Sequence, residues 1–134
     1  MQLVIDANIV FAALIKAGST ADLITSPKVE LYSPPFLFEE FDKYKSYLLD
    51  KTHRTSADFK QYLVVLKNNV HSIPLSLFQD FYTQAKELSP DPKDALYLAL
   101  ALKLKCPVWT NDKRLNNQGE IKILGTTELM QSFV

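Results

Sequence analysis

The sequence predicts an α/β protein: a single three-layer α/β/α domain over residues 1–134 with a mostly parallel sheet. Short apolar, β-branched runs alternate with helical stretches along the chain, as strands joined by helical crossovers do. With 134 residues, 47% of them hydrophobic, the chain is long and apolar enough to bury one core. No linker, internal repeat or low-complexity tract interrupts it.

The elements follow in order. Leu3-Val4-Ile5 reads as a buried strand, and Asp6-Ala7-Asn8 turns the chain. Ile9 to Ile15 forms a helix that stops near Gly18. Ser19 to Ile24 forms a second, short helix with Ser19 or Thr20 as its cap. Val29 to Ser33 is strand-like. Pro34-Pro35 permits a helix from Phe36 to Leu49 with Leu37, Phe41, Tyr44 and Leu48 on one stripe. Asp50 to Arg54 is a polar connection. Thr55 or Ser56 caps a helix through Phe59, Leu63 and Leu66, stopped by Asn68-Asn69. Val70 to Pro74 alternates as a short strand would. Ser76 to Leu88 is predicted as one amphipathic helix with Leu77, Phe81 and Leu88 apolar. Ser89-Pro90-Asp91-Pro92 breaks the chain sharply. Ala95 to Lys105 is a nearly all-apolar helix, placed in the core. Cys106 to Thr110 and Ile121 to Leu124 are the last strands, and Thr126 or Thr127 caps a terminal helix through Leu129.

Composition excludes several classes. The formal net charge is +0, so no bulk positive field draws in nucleic acid; binding it would need a local basic patch or a metal. Cys106 is the single cysteine, so no internal disulfide forms. With His53 and His71 the only other good zinc ligands, a zinc cluster is not expected. Met1 leads straight into a strand pattern without the basic and apolar regions of a signal peptide. The longest apolar run, Ala95 to Leu102, falls short of the roughly 20 residues a membrane span needs. These features fit a cytoplasmic location and no membrane.

Four acids stand where a strand ends or a helix begins. Asp6 closes the first strand, Glu40 lies in the first turns after Pro34-Pro35, Asp94 opens the apolar helix, and Asp112 follows Val108-Trp109-Thr110. In an open α/β sheet these positions share one edge, the usual ligand edge. Carboxylates gathered there repel one another unless a cation sits between them, and oxygen-only ligands suit Mg²⁺ or Mn²⁺. An acidic metal pocket of this kind points to cleavage of phosphodiesters. Each acid also has a structural role. Asp6 caps a helix, Glu39 and Glu40 complement a helix dipole, and Asp112 makes a turn after a strand. Asp91-Pro92-Lys93-Asp94 fits an N-cap, Pro at N1 and an acid at N3, which accounts for Asp91 fully and for Asp94 only in part. A charge opening a buried helix needs a partner. Glu40 is preferred to Glu39 because it lies three residues from Leu37 and four from Tyr44, near the buried face. Asn8, Thr110 and Asp91 are supporting residues around Asp6, Glu40, Asp94 and Asp112. Lys113 and Arg114, next to the last acid, are placed to contact phosphates.

The segments VIDANIVFAALI, YSPPFLFEEF, DPKDALYLALAL and VWTNDKRL resemble those of PIN-domain nucleases, including the VapC-type toxins of prokaryotic toxin–antitoxin pairs. The resemblance covers essentially the full length in the right order, and the third and fourth segments together carry most of its specificity. It implies a PIN-like sheet flanked by helices and a pocket binding Mg²⁺ or Mn²⁺ for hydrolysis of single-stranded RNA. The family's acids fall on Asp6, Glu40, Asp94 and Asp112, with the doubled Glu39-Glu40 leaving the second open by one residue, and its Thr or Ser falls on Thr110. Asp6, Asp94 and Asp112 then hold the metal, with Glu40 nearby. A toxin role implies an antitoxin that blocks the pocket, and a homodimer.

Two rivals have different signatures. A non-catalytic PIN-like module that binds RNA or a protein has little use for four gathered acids. A phosphatase of the Asp-nucleophile type wants a second Asp where Asn8 stands, and a phosphotransfer receiver wants adjacent acids early in the chain. A stretch comprising Lys43, Lys45, Lys51, His53 and Arg54, with Tyr44 and Tyr47 interleaved, has the composition of an RNA contact, but such a stretch is more often the solvated face of a helix.

Overall fold

Leu3, Val4 and Ile5 have no exposed surface. Successive strand residues point to opposite faces, so their joint burial requires a sheet covered on both sides. The computed structural model describes residues 1–15, 18–52, 54–89, 91–115 and 119–133; His53 and Pro90 lie outside them. Among the described residues there are five strands: β1 (Gln2–Ile5), β2 (Glu30–Ser33), β3 (Val70–Ser72), β4 (Val108–Trp109) and β5 (Ile123–Leu124). They form one parallel sheet in the order β3-β2-β1-β4-β5. Val4 lies between Tyr32 and Val108, and Ile5 pairs with Trp109.

The helices are α1 (Ala7–Ile15), α2 (Ser19–Ile24), α3 (Phe36–Lys43), α4 (Lys45–Thr52), α5 (Ser56–Asn69), α6 (Tyr82–Leu88), α7 (Pro92–Leu104) and α8 (Thr126–Gln131). The chain steps outward from β1 to β2 to β3, then returns across β1 to lay down β4. Right-handed crossovers then set α1–α5 on one face and α6–α7 on the other. α7 packs on β1 and β4 and against α6, while α1 packs on α2, α3 and α4. The order reverses between β1 and β4, which opens a crevice at their carboxyl ends.

Several local expectations are corrected. The helix predicted over Phe36 to Leu49 is two helices, broken at Tyr44, where φ is −97° and ψ 12°. Leu37, Phe41 and Leu48 are buried as the stripe requires, but the break leaves Tyr44 37% exposed. α4 runs on to Thr52, into the stretch expected to be a polar connection. Over the predicted helix from Ser76 to Leu88, only Tyr82–Leu88 is α-helical. Leu75–Leu77 and Gln79–Phe81 are 3₁₀ turns, and Leu77 stands exposed. The cap of α2 is Gly18 rather than Ser19 or Thr20, and α8 starts from Gly125 rather than Thr126 or Thr127. Gly125 has no side chain to cap with; Glu128 Oε1 reaches back to accept from its amide at 3.3 Å. Thr55 caps α5 as expected, accepting from the Asp58 amide at 3.1 Å.

Candidate functional site

Asp6 sits where β1 passes into α1. Its amide donates to the Trp109 carbonyl at 3.1 Å, which fixes it beside the end of β4, and its carbonyl accepts from Ile9 at the start of α1. Thr110, buried at the end of β4, donates its hydroxyl to Asp6 Oδ2 at 2.7 Å. The same hydroxyl oxygen accepts from the Asp112 amide at 3.0 Å. One side chain thus joins the two strand ends that flank the reversal of strand order. A threonine suits the place, because its hydroxyl donates once and accepts at the same time.

Asp94 reaches the same edge from α7. Asp91 caps this helix by accepting from the Lys93 amide at 2.9 Å, Pro92 fills the first helical position, and Asp94 follows at the third. Glu40 comes from α3 and is 8% exposed, although it is charged. Its Oε1 lies 3.3 Å from Lys93 Nζ, so α3 and α7 are bridged across the site. Arg114 turns back on Asp112 and donates to both carboxylate oxygens, Nη2 to Oδ2 at 2.8 Å and Nε to Oδ1 at 3.1 Å.

These residues surround one cavity of about 450 Å³. Asp6, Asn8, Glu40, Asp91, Asp94, Asp112 and Arg114 all line it, and Thr110 supports it through Asp6. Lys113 is exposed and is not among the lining residues. Glu39 lines a separate depression beside β3 with Lys67 and His71, so Glu40 is the member of the pair that faces the acids. Lys93 and Tyr97 also line the cavity, and sequence reasoning missed both. Their signal was spacing along α7, with Lys93 beside Asp94 and Tyr97 three residues beyond it on the same face. The rest of the wall is apolar and aromatic, with Phe11, Phe36, Tyr44 and Tyr47.

The charges are unevenly compensated. Burial raises the proton affinity of Asp94, repulsion from Asp91, Asp6 and Asp112 adds to it, and the carboxyl is pushed up to about 6. Burial also raises Asp6, with Asp112 adding repulsion, while the Thr110 hydroxyl and the Asn8 and Ala7 amides at the start of α1 pull it back. Asp112 is held low, chiefly by its hydrogen bonds from Arg114. Among the described residues no three His, Cys, Asp or Glu side chains stand as a ready ligand group; Glu40 and Asp112 are turned to their cations.

Crowding has a sign in stability. Asp94 and Asp6 bind a proton more tightly folded than unfolded, so their contribution is fully present below the unfolded pKa near 3.8 and is lost as pH rises, for Asp94 through about 6. Asp112 acts oppositely, and what it contributes is lost only as pH falls below its ordinary range. The thermal midpoint of metal-free protein in a chelator is therefore expected to rise as pH is lowered from 7.5 to 5. Differential scanning fluorimetry at constant ionic strength checks this, and a midpoint that falls over that interval contradicts the crowding.

A doubly wound parallel sheet with carboxylates converging at its switch point defines the class, an α/β protein with an acidic edge cavity. The PIN domain family matches residues 4–133, and the chain belongs to that family. Its fold is similar to the crystal structure of VapBC2 from Rickettsia felis bound to a DNA fragment from their promoter. The match has a TM-score of 0.68 at 15% identity and covers 93% of this chain and 98% of that one. At that identity the likeness is one of fold. No curated protein matches the chain. Among the described residues no helix is long and apolar enough to cross a membrane.

Proposed function

We propose that this protein is a divalent-metal-dependent ribonuclease that hydrolyses phosphodiester bonds of single-stranded RNA. The observation that carries this is the convergence of Asp6, Glu40, Asp94 and Asp112 on one cavity at the carboxyl edge of a parallel sheet. The donor set fits a hard cation. It is all oxygen, and burial and mutual repulsion leave Asp6 and Asp94 with charge that their surroundings compensate only in part. Asp6, Asp94 and Asp112 would hold Mg²⁺ or Mn²⁺, with Glu40 beside them. Such an ion makes bound water more acidic and neutralises charge on the scissile phosphate.

The chain's own residues do the positioning. Thr110 locks the Asp6 carboxylate in one orientation and is locked in turn by the Asp112 amide. Asp91 fixes the start of α7 and hence the place of Asp94. Lys93 and Arg114 bring cationic groups to the rim, where RNA phosphates pass, and Lys113 lies beside them on the exposed surface. The aromatic wall of Phe11, Phe36, Tyr44 and Tyr47 offers surface on which unpaired bases stack.

By the same reading the protein is the toxin of a toxin–antitoxin pair, acting in the cytoplasm as a homodimer held in check by an antitoxin protein. Family membership and the fold likeness to VapBC2 support it. One observation favours a second reading, a non-catalytic module that binds RNA or protein: Lys93 and Arg114 already pair with Glu40 and Asp112. Labelled single-stranded RNA incubated with the purified protein decides between them. Cleavage with Mg²⁺ or Mn²⁺ that chelator abolishes is expected, and intact RNA alongside calorimetry showing no bound metal sinks the catalytic reading.

A further inference from the structure

Tyr97 has a role in the cavity that the acids do not account for. It lies on α7 three residues after Asp94, lines the cavity and is only 4% exposed. Its hydroxyl oxygen is shielded from solvent, and its proton has no acceptor among the described residues. An unmade bond of this kind costs stability, so the acceptor is expected to come from outside the chain. The charges that act on the hydroxyl are those of Asp6, Glu40 and Asp94. Burial above all, and these charges with it, hold the phenol neutral, against the pull of a hydrogen bond from the Ala7 amide to the oxygen. A neutral phenol keeps its proton, which it can donate to an acceptor while its oxygen accepts.

The neighbours show why a neutral donor belongs there. Lys93 and Arg114 each pair with an acid of the cluster. A third cation beside Asp6 and Asp94 would do the same and compete with any metal for them. A hydroxyl adds no charge, leaves the carboxylates available and still offers a hydrogen bond to an anionic oxygen brought into the cavity.

We propose that the Tyr97 hydroxyl donates a hydrogen bond to a non-bridging oxygen of the phosphodiester that the cavity binds, making Tyr97 a substrate-binding residue beside the four acids. The substrate class rests on the ribonuclease reading above.

Tyr97→Phe removes one oxygen atom and keeps the ring. Its thermal midpoint is expected to equal or exceed that of the wild type, because a buried hydroxyl whose proton has no acceptor is lost; a lower midpoint would mark a structural hydrogen bond and overturn the proposal. Single-turnover cleavage of a single-stranded oligoribonucleotide with Mn²⁺ should slow by about 10- to 100-fold, the worth of one hydrogen bond to a charged acceptor. The specific readout is an oligoribonucleotide with one phosphorothioate of defined configuration at the cleaved linkage. The diastereomer with sulfur facing Tyr97 should slow the wild type and lose that extra effect in Tyr97→Phe. Equal rates in the two proteins, or an unchanged ratio between diastereomers, overturns the proposal. If neither protein cleaves with any metal, the ribonuclease reading fails by itself. Fluorescence anisotropy of the fluorescein-labelled oligoribonucleotide with Ca²⁺ then decides Tyr97 separately: weaker binding by Tyr97→Phe upholds its donor role, and equal binding refutes it.

Discussion

Asp94→Asn is expected to lose RNA cleavage by at least about a hundredfold, the upper end of the roughly 10- to 100-fold that losing a group merely supporting a metal ligand costs, because a ligand itself is removed. The same change should raise the thermal midpoint of the metal-free protein at pH 7.5. Both effects have one cause. Asp94 carries its charge in a place where burial and three neighbouring carboxylates disfavour it, which is why its proton is held up to about 6. Asparagine keeps the shape and drops the charge, so the repulsion disappears together with the group that would hold a cation. Solvent reaches part of the side chain, so the gain amounts to a few degrees only. Paired cleavage and thermal measurements on one preparation test the coupling. A variant that loses activity and also melts lower has lost packing, and the crowded-acid account then fails for Asp94.

Phe41→Ala should be the most damaging single truncation near the site. Phe41 is 1% exposed and is stacked on Phe59 at 4.9 Å and on Tyr62 at 6.0 Å, with Phe11 at 6.0 Å on another side. Emptying such a site costs about 3–5 kcal/mol, against a total stability of roughly 5–15 kcal/mol for a domain. The melting temperature should fall by roughly 10–20 °C. Tyr44→Ala, three residues on and 37% exposed, is the control and should shift it far less. Comparable losses in the two variants would refute the view that the stripe of α3 anchors this wall. Because Glu40 precedes Phe41 directly, the truncation should also weaken the Glu40–Lys93 bridge between α3 and α7.

Much of this architecture was legible before any coordinates. The acids could be read because each ends an apolar run or begins one, and the sheet gathers such positions without needing to know which strands pair. The order of strands and helices followed from the same alternation. The break at Tyr44 was not legible, because an apolar stripe of Leu37, Phe41 and Leu48 looks the same whether one helix or two carry it. The turns at Leu75–Leu77 and Gln79–Phe81 were missed for a related reason. Leu77 counts as apolar in any pattern, yet single leucines stand at protein surfaces routinely. Lys93 was read only as part of a helix start, since its bond to Glu40 depends on two helices distant in sequence lying side by side. Tyr97 was hidden by its setting in a run of Leu and Ala that the core fully explains.

Trp109 gives the molecule an optical property. It is the single tryptophan of the chain, fully buried at the end of β4, and it immediately precedes Thr110. Its indole donates to Thr126 Oγ1 at 3.0 Å, and the Asn111 side chain both donates to that oxygen and accepts from the Thr126 amide. The loop bearing Asp112 is thereby fastened to the first turn of the last helix, with the fluorophore inside the fastening. Intrinsic emission therefore reports on one place, without a label and without a competing tryptophan signal. Any event that loosens or tightens this edge, whether an arriving cation, an oligonucleotide or denaturant, registers in the same channel.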